Sequence, residues 1–135
     1  MNLLDENIRD DQRQRLQEWH VAIRQIGRDV GRKGMLDDAI IPLLHTLPRP
    51  TFFTRDDGFD RQALCHTAYC LVYLAVAESE VAEFARRFLR HPAFSTFARR
   101  RGAVVRAGNA GCPASRAMPA ATALIWRAKP GEILI

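Results

Sequence analysis

The sequence predicts one α/β domain with a mostly parallel sheet. Apolar runs of strand length (Leu3-Leu4, Thr51–Thr54 and residues 70–76) alternate with stretches of helical period, the pattern of strand–helix–strand units. The run CLVYLAV, residues 70–76, is apolar on both faces, as a parallel strand covered from two sides must be. A chain of 135 residues, 47% hydrophobic and 26% charged, is long enough for a real core and ordinary for a globular domain.

Residues 2–5 are the first expected strand, central in the sheet, with helices on both faces. From Arg9 the period changes. Leu16, Trp19, Ile23 and Ile26 fall on one helical face, and Asp10 and Asp11 lie in the first turn, where they favour the dipole. The helix is therefore expected to reach about Ile26, with Gly27 as its stop. His20, beside that stripe, reads as a half-exposed structural residue. Residues 27–35, GRDVGRKGM, form a glycine-rich basic loop with a short edge strand near Val30, and their spacing is not that of a phosphate-binding loop. A second helix is expected through Ala39–Leu47. Pro42 lacks an amide N–H and belongs in a first turn, so this helix should start near Asp38 with Asp37 as N-cap.

Pro48 and Pro50 end the second helix, and Thr51–Thr54 is β-branched and aromatic, hence a strand, followed by a loop at 55–60. After the strand at 70–76, Glu78–Arg90 reads as a helix with Val81, Phe84 and Phe88 inward. Arg86, Arg87 and Arg90 share its outer side, and Glu83 supports Arg87 four residues on. Pro92 breaks it. Ala93–Arg101 is expected as a short helix that buries Phe94 and Phe97, with Arg99, Arg100 and Arg101 complementing its dipole and Gly102 as its stop. Ala103–Arg106 is a strand, residues 107–121 a loop, Thr122–Arg127 a last strand, and Ile133–Ile135 a tail against the sheet edge.

The longest apolar run, CLVYLAVA, has eight residues, against roughly 20 needed to cross a bilayer. Acids appear by position 5, which is no secretory signal. Cys65, Cys70 and Cys112 lack metal-site spacing and read as buried thiols of a cytoplasmic protein. The net charge of +5 is uneven: residues 1–60 carry 9 Lys and Arg against 11 Asp and Glu, and residues 61–135 carry 11 against 4. An acidic half joined to a basic half suits a metal beside a phosphodiester substrate. Arginines that simply keep helix faces solvated are the ordinary alternative.

Three acidic stretches stand out: LLDENI at 3–8, LDDAII at 36–41 and FFTRDDGF at 52–59. The first and third follow apolar strand-like runs, and ligands of open α/β sheets bind beyond the carboxyl ends of the strands. Carboxylate oxygens are the donors Mg²⁺ and Mn²⁺ prefer. Helix capping is the competing explanation for any one of these acids. Clustered carboxylates repel, so one should hold its proton more tightly unless a cation is present. His45, His66 and His91 are scattered and read as structural. A phosphoacceptor site, also built from acids at strand ends, would need a lysine after a late strand, and the only lysines are Lys33 and Lys129.

The motifs Leu3-Leu4-Asp5-Glu6-Asn7, Asp37-Asp38-Ala39-Ile40 and Thr54-Arg55-Asp56-Asp57-Gly58-Phe59, in this order, resemble those of the PIN-like superfamily. More closely they resemble a short bacterial subfamily with L-L-D-E-N and T-x-D-x-D-F motifs. The resemblance spans residues 1–106, and residues 107–135 would add a loop and a terminal strand completing the same domain. It implies a three-layer α/β/α sandwich and a nuclease of toxin–antitoxin type that hydrolyses single-stranded RNA. By motif the catalytic acids are Asp5, Asp38 and Asp56, and the Mg²⁺ or Mn²⁺ ligands come from Asp5, Asp37, Asp38, Asp56 and Asp57. Arg86, Arg87 and Arg90 are the expected RNA-binding face. RNA, a small antitoxin-like protein and a second copy of the chain are the expected partners, with no membrane. Gly58 departs from the pattern, which has an aspartate there; Asp57 or Asp60 would have to replace it. A PIN-like binding module without catalysis is the alternative.

Overall fold

Leu3 and Leu4 are neighbours in sequence, and neither exposes any surface. Successive strand residues point to opposite faces, so burying both requires cover on both sides of the sheet. The computed structural model, which describes residues 1–108 and 124–127, provides that cover. Strand β1 (Asn2–Leu4) pairs in parallel with β2 (Arg24–Gln25) on one side and β3 (Thr51–Thr54) on the other. β3 continues to β4 (Cys70–Ala75) and β4 to β5 (Ala103–Gly108), all parallel. A sixth strand, β6 (Leu124–Arg127), pairs antiparallel with β5, giving the order β2-β1-β3-β4-β5-β6.

Helices α1 (Asp10–Glu18) and α3 (Val81–Arg90) cover one face, packing Leu16, Val81, Phe84 and Phe88 on Leu4, Phe53, Val72 and Val105. Helix α2 (Asp37–Thr46) and the segment 59–69 cover the other, with Ile40, Leu44, Phe59 and Tyr69 on Leu3, Phe52, Leu71 and Val104. The chain is therefore a three-layer α/β/α sandwich with five parallel strands. Truncating any of these core leucines or phenylalanines to alanine should cost about 2–5 kcal/mol. No helix among the described residues is long and apolar enough to cross a membrane.

Several elements differ from expectation. α1 stops at Glu18, eight residues before Ile26. Its end is a Schellman turn: His20 adopts φ 61°, His20 N–H donates to Gln17 O and Val21 N–H to Leu16 O. These bonds hold a left-handed non-glycine residue, and the stripe from Leu16 onward continues through a turn into β2. Gly27, at φ 84°, belongs to the next turn and stops no helix, while the edge strand near Val30 is a single bridge to Ile26. In α2 the N-cap is Leu36, Asp37 is the first helical residue, and Pro42 lies well inside. Proline there deprives the Asp38 carbonyl of its donor. Both residues are exposed, so water can serve that carbonyl.

Residues 91–96 form turns, and α4 is only Phe97–Arg100 with Thr96 as N-cap. Arg100 does not complement a dipole in solvent. It is 7% exposed and braces the interior, donating from Nε to Thr51 Oγ1 at 2.8 Å and from Nη1 to Phe94 O at 2.8 Å. Phe94 is buried as expected and Phe97 half-buried. Cys65 and Cys70 are both buried, and Cys112, the loop 107–121 beyond Gly108 and the tail 133–135 lie outside the described residues.

Candidate metal centre

The order β2-β1-β3 sets the place of the site. From β1 the chain crosses one face through α1 to β2, then returns over the other face through α2 to β3. The crossovers thus part between β1 and β3, and a crevice opens there at the carboxyl ends of the strands. Asp5 directly follows β1, and Thr54 ends β3.

Thr54 is fully buried and joins two carboxylates. Its hydroxyl donates to Asp5 Oδ2 at 2.6 Å and accepts the Asp56 N–H at 3.0 Å. Asp5 Oδ1 accepts the Glu6 N–H at 2.7 Å, and Asp56 Oδ1 accepts the Gly58 N–H at 2.8 Å. Asp37, at the start of α2, brings its carboxyl beside that of Asp56: a Cβ at Gly58 would lie within 3.7 Å of an oxygen of each. Three carboxylates from three separate segments therefore meet at one edge. A cleft of about 270 Å³ opens beside them, lined by Asp5, Asn7, Ile8, Arg55, Asp56 and Glu78.

The electrostatics follow from this gathering. Burial pushes the Asp5 carboxyl above its ordinary range and the charges of Asp56 and Glu6 add to that; the bonds from Thr54 and Glu6 oppose it. The Asp37 carboxyl, though exposed, is also raised, by the desolvation its neighbours impose, by the Asp56 carboxyl beside it and by the charges of Asp56, Asp5 and Asp38. Among the described residues, no ion pair involves Asp5, Asp37, Asp38, Asp56 or Asp57. Excess negative charge on hard oxygen donors fits a divalent cation such as Mg²⁺ or Mn²⁺. Among the described residues, however, no three His, Cys, Asp or Glu side chains stand as a finished ligand set.

No family model matches the chain, and neither a curated protein nor a solved structure matches it significantly. The assignment of residues therefore rests on geometry. Asp5 and Asp56 stand where the motifs put them. Of the two acids at the start of α2, Asp37 reaches Asp56, and Asp38 is felt only through its charge. Asp57 is exposed and raises Asp60 rather than joining the cluster. Asp60 is pushed up by burial and by Asp57 and countered by Arg106, and none of Asp5, Asp37 and Asp56 is among the charges that shift it. A Cβ at Gly58 would lie 3.0 Å from Asp56 Oδ1 and 3.7 Å from Asp37 Oδ2, so position 58 borders the cluster and donates only a backbone N–H.

Supporting residues escaped the sequence reading. Gln25 is buried in β2, and its Nε2 donates to the carbonyls of Asp5 (3.1 Å), Glu6 (3.3 Å) and Ile8 (2.9 Å), fixing the loop that carries Asp5. Glu6 accepts the Gly34 N–H and tethers the basic loop 27–35 to the same edge. Thr54 had a visible signal: a hydroxyl two residues before Asp56 at a strand end. Gln25 had none beyond being polar between isoleucines.

The arginine face lies elsewhere. Arg86 and Arg87 share Glu83 at 3.1 and 3.2 Å, and the Arg86 guanidinium sits 3.7 Å over the Trp19 ring. α3 starts at the carboxyl edge and runs away from it, which carries Arg90 about 14 Å along the axis at roughly 1.5 Å per residue. Arg55 is nearer: it lines the cleft, donates to Val76 O at 2.9 Å and pairs with Glu78 at 3.5 Å. His45 and His66 are not scattered, since their ring centroids are 4.4 Å apart. His66 and His91 keep structural roles, each accepting a backbone N–H at Nδ1.

Proposed function

We propose that the chain is a metal-dependent ribonuclease of PIN-like type that hydrolyses phosphodiester bonds in single-stranded RNA. The observation that supports this reading is the meeting of Asp5, Asp37 and Asp56 at the β1/β3 crevice, with no cation paired to them among the described residues. Asp5, Asp37 and Asp56 would hold Mg²⁺ or Mn²⁺, which when bound supplies Lewis acidity toward a phosphate and a water acidic enough to become a nucleophile. The chain's own residues do the rest. The Thr54 hydroxyl keeps Asp5 and Asp56 at a fixed separation, and Gln25 holds the backbone behind Asp5. Arg55, the one cation among the described residues that line the cleft, meets the substrate phosphate.

Gly58 supports a second reading, a PIN-like binding module without catalysis. The resembled motif has an aspartate there, and this chain presents only a backbone N–H. One experiment separates the two: cleavage of a mixed-sequence fluorogenic RNA with Mn²⁺ or Mg²⁺, beside calorimetric titration of Mn²⁺. Metal-dependent cleavage is the expected result. Ion or RNA binding without cleavage selects the inactive module, and neither binding nor cleavage rejects the metal site.

A further inference from the structure

The opposite edge of the sheet has its own chemistry. Residues 39–55, 61–77 and 84–108, which include every loop leading into β3, β4 and β5, contain no Asp or Glu. At that amino edge lies a cleft of about 500 Å³ lined by Arg49, Thr67, Thr96, Phe97 and Arg101, among others. Among the described residues no carboxylate lines it, and neither Arg49 nor Arg101 forms an ion pair.

The cations there are held in place. The Arg49 carbonyl accepts the Met1 ammonium at 3.0 Å, and Arg49 itself is fixed at φ 49° between two prolines. Arg101 donates one N–H, from Nε, to Thr67 O at 3.2 Å, which aims the guanidinium, and its outer nitrogens have no partner among the described residues. Arg100, buried just behind, has its guanidinium carbon 5.9 Å from the Phe97 ring. The Met1 ammonium is pushed below its ordinary value, first by burial and then by the charges of Arg100 and Arg49. Thr96 Oγ1 accepts the Arg99 N–H at 3.3 Å, so its hydroxyl proton can still be donated.

We propose that this cleft binds a short segment of single-stranded nucleic acid, with phosphates on Arg49 and Arg101 and a base against Phe97. Planar guanidinium forks match phosphate oxygens, and an aromatic ring between cations is the platform on which unpaired bases stack. The volume is that of a small-ligand pocket and fits one or two nucleotides, not the side of a duplex. An acidic peptide would use the arginines and leave the ring without a partner. The surface is independent of the carboxylates, because the whole length of the strands separates the two edges.

Fluorescence anisotropy of a labelled oligouridylate, in EDTA and over a range of salt, tests the proposal. The double variant Arg49→Glu/Arg101→Glu should bind at least about tenfold more weakly, with a log–log salt slope shallower by about 1.4, or roughly 0.7 for each lost phosphate contact. Phe97→Ala should lose affinity several-fold with the slope unchanged. Because binding is read in EDTA it needs no cation at the carboxylates, which separates this surface from the cleavage reading. Should the charge reversal fail to fold by circular dichroism, Arg49→Gln/Arg101→Gln takes its place with the same expectation. Wild type that does not bind, a double variant that binds equally well, or displacement of the oligonucleotide by polyglutamate at equal charge would each overturn the proposal.

Discussion

The two edges of one sheet differ in sign and resemble each other in strain. At the carboxyl edge Asp5 and Asp37 hold their protons more tightly than ordinary carboxyls; at the amino edge the Met1 ammonium holds its proton less tightly. Each edge pushes its own titratable groups toward neutrality, first through burial and then through the like charges gathered beside them. The opposite charges do not cancel. β3 and β4 have four and six residues, a span of about 13–20 Å at roughly 3.3 Å per residue, beyond the Debye length of about 8 Å at physiological salt. The counter-ions proposed for the two edges differ accordingly: a cation for one, a phosphate for the other.

The largest expected effect tests the acidic edge. Asp5→Asn keeps the shape and removes the charge, so metal-dependent cleavage should fall at least about a hundredfold, while the thermal midpoint of the metal-free protein stays equal or rises. A capping or core role for Asp5 predicts the reverse pairing, with activity kept and stability reduced by roughly 1 kcal/mol. Next comes the brace beneath the basic edge. Arg100→Ala leaves Thr51 Oγ1 and Phe94 O without their buried donor, and should cost about 2–3 kcal/mol in urea unfolding. If it costs nothing, Arg100 contributes field but not structure.

Gln25→Leu removes the donor shared by three carbonyls and should cost about 1–3 kcal/mol. Amide exchange at residues 5–8 should accelerate more than in the core of β4; uniform acceleration would mean that Gln25 supports the fold and not the site. The smallest effect is a pH dependence. Asp5 and Asp37 have folded pKa values above their unfolded ones, near 3.9, so between the two values the folded state binds more protons. Their contribution therefore favours the fold on the acid side and is lost as pH rises through the folded values. In EDTA, Asp37→Asn should gain stability relative to wild type at pH 7 and not at pH 4. Equal shifts at both would deny repulsion within the cluster.

The strands were legible because they are buried on both faces, which leaves apolar runs such as CLVYLAV without alternation. β2 was not, because Arg24 and Gln25 are polar and the flanking Ile23 and Ile26 happen to continue the helical spacing of Leu16 and Trp19. The left-handed turn at His20 carries no glycine to announce it. At the site, the order of the acidic segments could be read, but the choice between Asp37 and Asp38 could not. Adjacent helical residues differ by about 100° around the axis, since a turn takes 3.6 residues, and only the packing of α2 on Leu3 and Phe52 fixes which one faces Asp56. Among Arg99, Arg100 and Arg101, nothing in the sequence marks the one that turns inward.

The central position of β1 also governs the order of assembly. Leu3 pairs with Arg24 and with Phe52, partners 21 and 49 residues away, and none of the five parallel strands can form a hairpin with the next. Such non-local pairings fold slowly, since both chain closures must precede their reward. The three-residue strand bearing Asp5 is clasped only after both neighbours have docked. Any intermediate in which β3 has not yet docked on β1 therefore lacks the meeting of Asp5 with Asp56, so the candidate site forms only with that long-range pairing.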